Sequence, residues 1–146
     1  MTFFTSEYEV KLDAKGRLGL PARIKAQLPE GEQEVVIRRG FEQCLILYPM
    51  VEFQKVFSTI SGLNEFSKEN RDIQRSLLSG VVTVELDGSG RMLIPKNLLV
   101  YAGLEKDVLL VGTGSKVEIW EPNIYRKNLI SDPGDLSKLA EKYLNS

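Results

Sequence analysis

The feature that most constrains this chain is an internal repeat. Tyr8 to Pro21 reads YEVKLDAKGRLGLP and Val82 to Pro95 reads VTVELDGSGRMLIP. At an offset of 74 residues, six of these fourteen positions are identical: Val10/Val84, Leu12/Leu86, Asp13/Asp87, Gly16/Gly90, Arg17/Arg91 and Pro21/Pro95. A weaker echo follows at an offset of 72, from Val36/Val108 and Gly40/Gly112 through Leu45/Val117 and Leu47/Ile119 to Tyr48/Trp120. Fixed-period self-similarity means that one structural unit is used more than once, and a unit this small cannot bury its apolar face alone. The repeat places one unit at residues 1–57 and another at 81–130, joined by a polar linker at 58–80 and followed by a tail at 131–146.

Each copy carries the same order of signals. Val10 and Leu12 alternate with charged residues, as a half-buried strand requires. Asp13-Ala14-Lys15-Gly16 supplies turn chemistry, and Leu18 and Leu20 resume the period of two. Pro21 suits the first turn of a helix, which the spacing extends over Ala22 to Leu28. Val35 to Arg38 and Cys44 to Tyr48 read as further strands. Met50 to Ile60 reads as a helix with Val51, Val56, Phe57 and Ile60 on its apolar side. In the linker, Ile73, Leu77 and Leu78 predict a bridging helix over Lys68 to Ser79. In the tail, Leu136, Leu139, Ala140 and Tyr143 have helical spacing. Two such units paired about a pseudo-two-fold axis predict a small, mostly antiparallel β-barrel with short flanking helices.

The composition excludes several chemistries. With no histidine among 146 residues, there is no Ser-His-Asp triad and no imidazole proton shuttle. Cys44 is the single cysteine, so it forms no intramolecular disulfide and no Cys/His zinc set. It precedes Leu45-Ile46-Leu47 and reads as a small buried hydrophobe. No cofactor is expected. The amino terminus lacks the basic and apolar regions of a signal peptide. The longest apolar run, Cys44 to Val51, is far short of the roughly 20 residues of a spanning helix. A soluble, cytoplasmic protein is the expectation, with no membrane partner.

The motif with chemical content is Asp-x-x-Gly-Arg, present as Asp13 to Arg17 and as Asp87 to Arg91. Asp and Gly are ordinary turn residues, and an Asp–Arg pair could simply brace the hairpin. Turn chemistry does not, however, require Arg at the same place in both copies. The net charge is only −1, yet residues 11–25 hold five cations (Lys11, Lys15, Arg17, Arg23 and Lys25) against Asp13 alone. Residues 85–97 are balanced, with Arg91 and Lys96 against Glu85 and Asp87. A two-stranded ribbon fits the major groove of DNA, where Arg reads guanine and Lys contacts phosphate. On these residues alone, a structural brace and a DNA contact both stand.

Taken together, these features resemble the MraZ family of bacterial transcription regulators, within the AbrB-like swapped-hairpin superfamily. The resemblance covers about residues 6–130. It rests on the doubled DxxGR hairpin, on Arg39-Gly40-Phe41 with Cys44-Leu45-Ile46-Leu47-Tyr48-Pro49, on Pro95 to Leu104, and on Val117-Glu118-Ile119-Trp120. It implies tandem swapped-hairpin units of α+β class, mostly β, assembled into a ring-shaped homo-oligomer. It further implies a nucleoid-associated repressor of its own division and cell-wall gene cluster that binds double-stranded DNA at promoter direct repeats. Carried onto this chain, the resemblance implies that Arg17 and Arg91 contact DNA, and that Lys15, Arg23 and Lys25 contact bases or phosphates. Asp13, Gly16, Asp87 and Gly90 shape the hairpins and orient the arginines. Leu99 stands where members often carry Arg, and Ser89 where a longer polar side chain is common, which implies a weaker second hairpin. Several subunits each presenting one hairpin would then add affinity through multivalency.

Two other function classes fit the residues less well. An antitoxin-like module that binds a protein partner uses the same small barrel, but usually with one unit and a long disordered tail. An enzyme would need Asp13 and Asp87 as acid and base, and an adjacent Arg lowers a carboxyl pKa away from that use. Gly112-x-Gly114 is followed by a strand, so it is no dinucleotide fingerprint.

Overall fold

Neither repeat completes a sheet with its own strands. The computed structural model describes residues 2–145. The first repeat supplies β1 (Glu7–Lys11), β2 (Arg17–Gly19), α1 (Ala22–Lys25), β3 (Glu34–Arg39), β4 (Leu45–Pro49) and α2 (Met50–Ser61). The linker forms α3 (Lys68–Leu78). The second repeat supplies β5 (Val82–Glu85), β6 (Arg91–Leu93), α4 (Lys96–Ala102), β7 (Asp107–Gly112), β8 (Val117–Trp120) and α5 (Pro122–Asn128), and the tail forms α6 (Pro133–Leu144).

Six strands make one antiparallel sheet in the order β1-β7-β8-β4-β3-β5. Interchanging the repeats maps this order onto itself, with the pseudo-two-fold axis between β8 and β4. Both outer strands are exchanged: β1 pairs with β7 of the second repeat, and β5 pairs with β3 of the first. The remaining strands, β2 and β6, pair with each other as a separate ribbon.

The expected barrel is not closed. β1 meets β2 at the single bridge Leu12–Leu18, and β5 meets β6 at Leu86–Met92. Beyond these bridges the strands part: β2 and β6 leave to pair with each other, while β1 and β5 stay in the large sheet, so neither hairpin extends into a ladder. The large sheet therefore remains open, and the ribbon lies across one of its faces.

That face holds the larger core. Val35, Ile37, Leu45, Leu47, Leu110, Val117 and Ile119 pack against Leu18 and Met92 of the ribbon, Ile24 of α1, and Leu98 and Ala102 of α4. The opposite face packs Val36, Ile46, Tyr48, Leu109, Val111 and Trp120 against Phe53 of α2 and Tyr125 of α5. Covering on both faces explains why β3 and β4 read as unbroken apolar runs instead of alternating. Cys44 is buried on the second face, and burial, with Glu118 and Glu42 nearby, raises its thiol pKa to about 12.

Helix details differ from the spacing in two places. In α2 the buried apolar residues are Phe53 and Ile60, while Val51 and Phe57 are 46% and 47% exposed. Pro49 starts the helix immediately after β4, which turns Phe53 onto Tyr48 with ring centroids 5.8 Å apart. α1 ends at Lys25, short of Leu28. α6 forms with Asp132 capping the Asp135 N–H, and none of its residues is buried. Among the described residues, no helix is long and apolar enough to cross a membrane.

Candidate nucleic-acid interface

Both DxxGR turns are built by the same set of bonds. In the first, the Gly16 N–H donates to the Asp13 carbonyl and the Asp13 N–H to the Arg17 carbonyl, both at 3.0 Å. Asp13 Oδ1 accepts from the Lys15 and Arg17 backbone N–H groups at 2.9 Å each, and Oδ2 accepts from Arg17 Nε at 2.6 Å. In the second, Asp87 Oδ1 accepts from the N–H groups of Ser89 and Arg91 at 2.8 and 3.0 Å, and Oδ2 from Arg91 Nε at 3.0 Å. Gly16 and Gly90 have φ of +84° and +76°, a region that strains any residue with a Cβ. The motif is thus a self-contained unit: Gly permits the turn, and Asp fixes both its backbone and the arginine.

The aspartates are held as carboxylates. The Arg17 backbone N–H lowers the Asp13 pKa most, aided by the Arg17 side chain and the Lys15 N–H against a partial desolvation. Asp87 is lowered in the same way, first by the Arg91 N–H. Each Asp takes only Nε of its arginine. The two terminal nitrogens, the fork that matches guanine O6 and N7, stay outside the pair.

The ribbon then brings the two turns together. Arg17 lies opposite Leu93, Leu18 opposite Met92, and Gly19 opposite Arg91. The Leu20 N–H donates to the Gly90 carbonyl and the Ile94 N–H to the Gly16 carbonyl, both at 3.1 Å. Each turn is therefore locked by the other hairpin. Leu18 and Met92 are fully buried beneath the ribbon. By alternation, Arg17, Gly19, Arg91 and Leu93 share its outer face.

Lys15 is exposed on the first turn, and Arg23 and Lys25 are exposed on α1. Lys25 does not sit beside Arg17. It crosses the second turn, where a Cβ on Gly90 would lie 2.7 Å from Lys25 Cδ. Leu99 of α4 occupies the matching place at the first turn, its Cδ1 3.2 Å from where a Gly16 Cβ would be. Sequence reasoning also missed Leu93, 56% exposed on the outer face opposite Arg17. The signal was present, since alternation from the buried Met92 turns Leu93 outward. A groove of about 770 Å³ between β1, β7 and α5 contains no residue of either DxxGR motif.

Comparison with known proteins decides the family. The model for the MraZ protein, whose description also calls it antitoxin-like, matches residues 3–76 and again 77–141. The chain belongs to the MraZ family. A transcriptional regulator MraZ of Cytophaga hutchinsonii is 54% identical over 99% of this chain and 96% of that protein. Counterparts of the same name in Christiangramia forsetii and Pseudomonas syringae pv. tomato are 43% and 38% identical, over 95% and 94% of this chain and 91% of each of those proteins. The two MraZ matches meet within the last turn of α3, ahead of β5. The strand exchange joins those two halves in one sheet.

Proposed function

We propose that this MraZ-family chain is a transcription regulator that binds double-stranded DNA through its paired DxxGR hairpins. The observation that carries the proposal is the ribbon. Arg17 and Arg91 share its outer face, each held through Nε with its terminal nitrogens outside the ion pair. A two-stranded ribbon enters a major groove about 12 Å wide, where a bidentate Arg distinguishes guanine. Lys15, Arg23 and Lys25, unpaired among the described residues, would supply phosphate contacts that position the ribbon. The names of the relatives support a role in transcription.

In its finer form the proposal is a repressor of its own division and cell-wall gene cluster, associated with the nucleoid. Two swapped-hairpin units, 1–57 and 81–130, are joined by 58–80 and followed by a tail at 131–146. Copies assemble into a ring that engages successive promoter direct repeats, and multivalency raises the affinity of each weak contact.

A gel shift on the promoter region of its own operon, over a salt series, tests this. Wild type is expected to bind selectively, with affinity falling steeply as salt rises. Arg17→Ala is expected to lose about 5- to 150-fold and to relax selectivity, the range for removing one base-reading arginine. Arg91→Ala is expected to lose affinity as well. Equal binding by all three proteins would make the motif a brace alone. If no DNA is bound, the exposed apolar residues Leu136, Leu139 and Tyr143 of α6 favour the antitoxin-like reading, in which a protein partner covers them.

A pH series adds a second check. A carboxylate with a depressed folded-state pKa contributes stability that is complete above its unfolded pKa and is lost as pH falls through the lower folded value. Asp13 and Asp87 are of this kind, and the chain has no histidine. DNA affinity is therefore expected to stay level from pH 8 down to about 5, above the ordinary carboxyl range. A midpoint near 6.5, the ordinary range of histidine, would contradict this assignment.

A further inference from the structure

Eight positions separate Lys25 from Arg17 in the sequence, but the fold takes Lys25 to the other hairpin. A Cβ on Gly90 would lie 2.5 Å from Lys25 Nζ and 3.0 Å from its Cε, so the whole end of the side chain lies across the second turn. Lys25 also lines a groove of about 260 Å³ with Asp87, Gly88 and Gly90. It forms no ion pair among the described residues and is exposed. Its counterpart at the repeat offset of 74 is Leu99, which covers Gly16 in the same way. The fourth residue after each proline thus covers the turn glycine of the opposite hairpin. One cover is a cation and the other a leucine.

We propose that the DNA-contacting units are composite and unequal: Arg91 works with Lys25 of the first repeat, whereas Arg17 works with Lys15 beside an apolar Leu99. This rests on the DNA reading above. In the first unit Lys25 neutralises a phosphate next to the base edge that Arg91 reads. In the second, Leu99 leaves the equivalent phosphate without a cation. The excess of positive charge that the sequence assigns to the first hairpin is thereby shared between the two.

Affinities for the promoter duplex of wild type, Lys25→Ala, Arg17→Ala, Arg91→Ala and the two doubles containing Lys25→Ala test the pairing. Independent sites multiply to within about twofold. The Lys25→Ala/Arg17→Ala double is expected to match that product. The Lys25→Ala/Arg91→Ala double is expected to bind more tightly than its product by well over twofold, because either change alone already disrupts the shared contact. Separately, Leu99→Lys is expected to steepen the slope of log affinity on log salt by roughly 0.9 for each phosphate neutralised. Coupling of Lys25 to Arg17 instead of Arg91, or to neither, overturns the proposal, and so does a folded Leu99→Lys protein with the wild-type slope. If Leu99→Lys does not fold, the two double variants decide alone. A wild type that binds no DNA removes the underlying DNA reading and the pairing with it. Selective binding with the wrong coupling removes the pairing only.

Discussion

Replacing Leu18 by alanine is expected to lower the free energy of unfolding by roughly 2–5 kcal/mol, the cost of deleting a well-packed core leucine and leaving a cavity. Leu18 is fully buried, lies opposite the equally buried Met92, and packs into the larger core. It is a contact of both repeats at once, so the loss reaches both. Urea unfolding by circular dichroism should show a lower midpoint and a single transition, in the variant as in the parent. The physical reason is the exchange: β1 is completed by β7 and β5 by β3, so neither repeat keeps its sheet when the other unfolds. Two separated transitions would show that the repeats fold independently, contrary to the exchanged pairing. A loss well below 2 kcal/mol would place the weight of the core elsewhere.

Asp13→Ala is expected to weaken DNA binding by roughly 5- to 100-fold, although it removes a negative charge from a surface that meets phosphates. Simple electrostatics predicts the opposite sign. The Asp13 carboxylate accepts from two backbone N–H groups and from Arg17 Nε. Hydrogen bonds in which the acceptor is ionised are stronger than those between neutral groups. Exposure of about a third of each side chain and solvent screening place the expected loss toward the lower end of that roughly 5- to 100-fold range. Without the carboxylate, the turn loses its internal brace and Arg17 is free among many rotamers. A titration of promoter DNA followed by fluorescence anisotropy checks the sign. Tighter binding by the alanine variant would show that Asp13 acts only as an unfavourable charge. Asp13→Asn keeps one acceptor oxygen and should fall between the two.

Much of this architecture was legible because it is written in local chemistry. The DxxGR turn is closed by bonds among residues 13–17 and again among 87–91, all within reach of their own side chains. The helix at Lys68–Leu78 was legible from the spacing of Ile73, Leu77 and Leu78, and the structure adds the Ser67 cap. The failures have tertiary causes. Alternating and unbroken apolar runs reveal strands but not the partners they choose, and so the barrel expected from eight strands is an open sheet crossed by a ribbon. The apolar stripe assigned to α2 was displaced because Tyr48, from the strand before it, decides where Phe53 packs. Leu93 went unnoticed because a lone leucine among apolar neighbours reads as core until the ribbon gives it a face.

The duplication is readable at its offset of 74 residues, and the two hairpin turns with the arginine held in each depend on residues no more than four apart. Which hairpin each cation serves follows from the strand exchange alone. Lys25 and Leu99 are placed by an exchange between residues about 65 to 85 positions apart along the chain, through strand pairings fixed by burial on both faces of the sheet. Charge summed along the chain assigns five cations to the first hairpin. The fold divides them, because a side chain acts on whatever its backbone is packed against, whichever repeat encodes it.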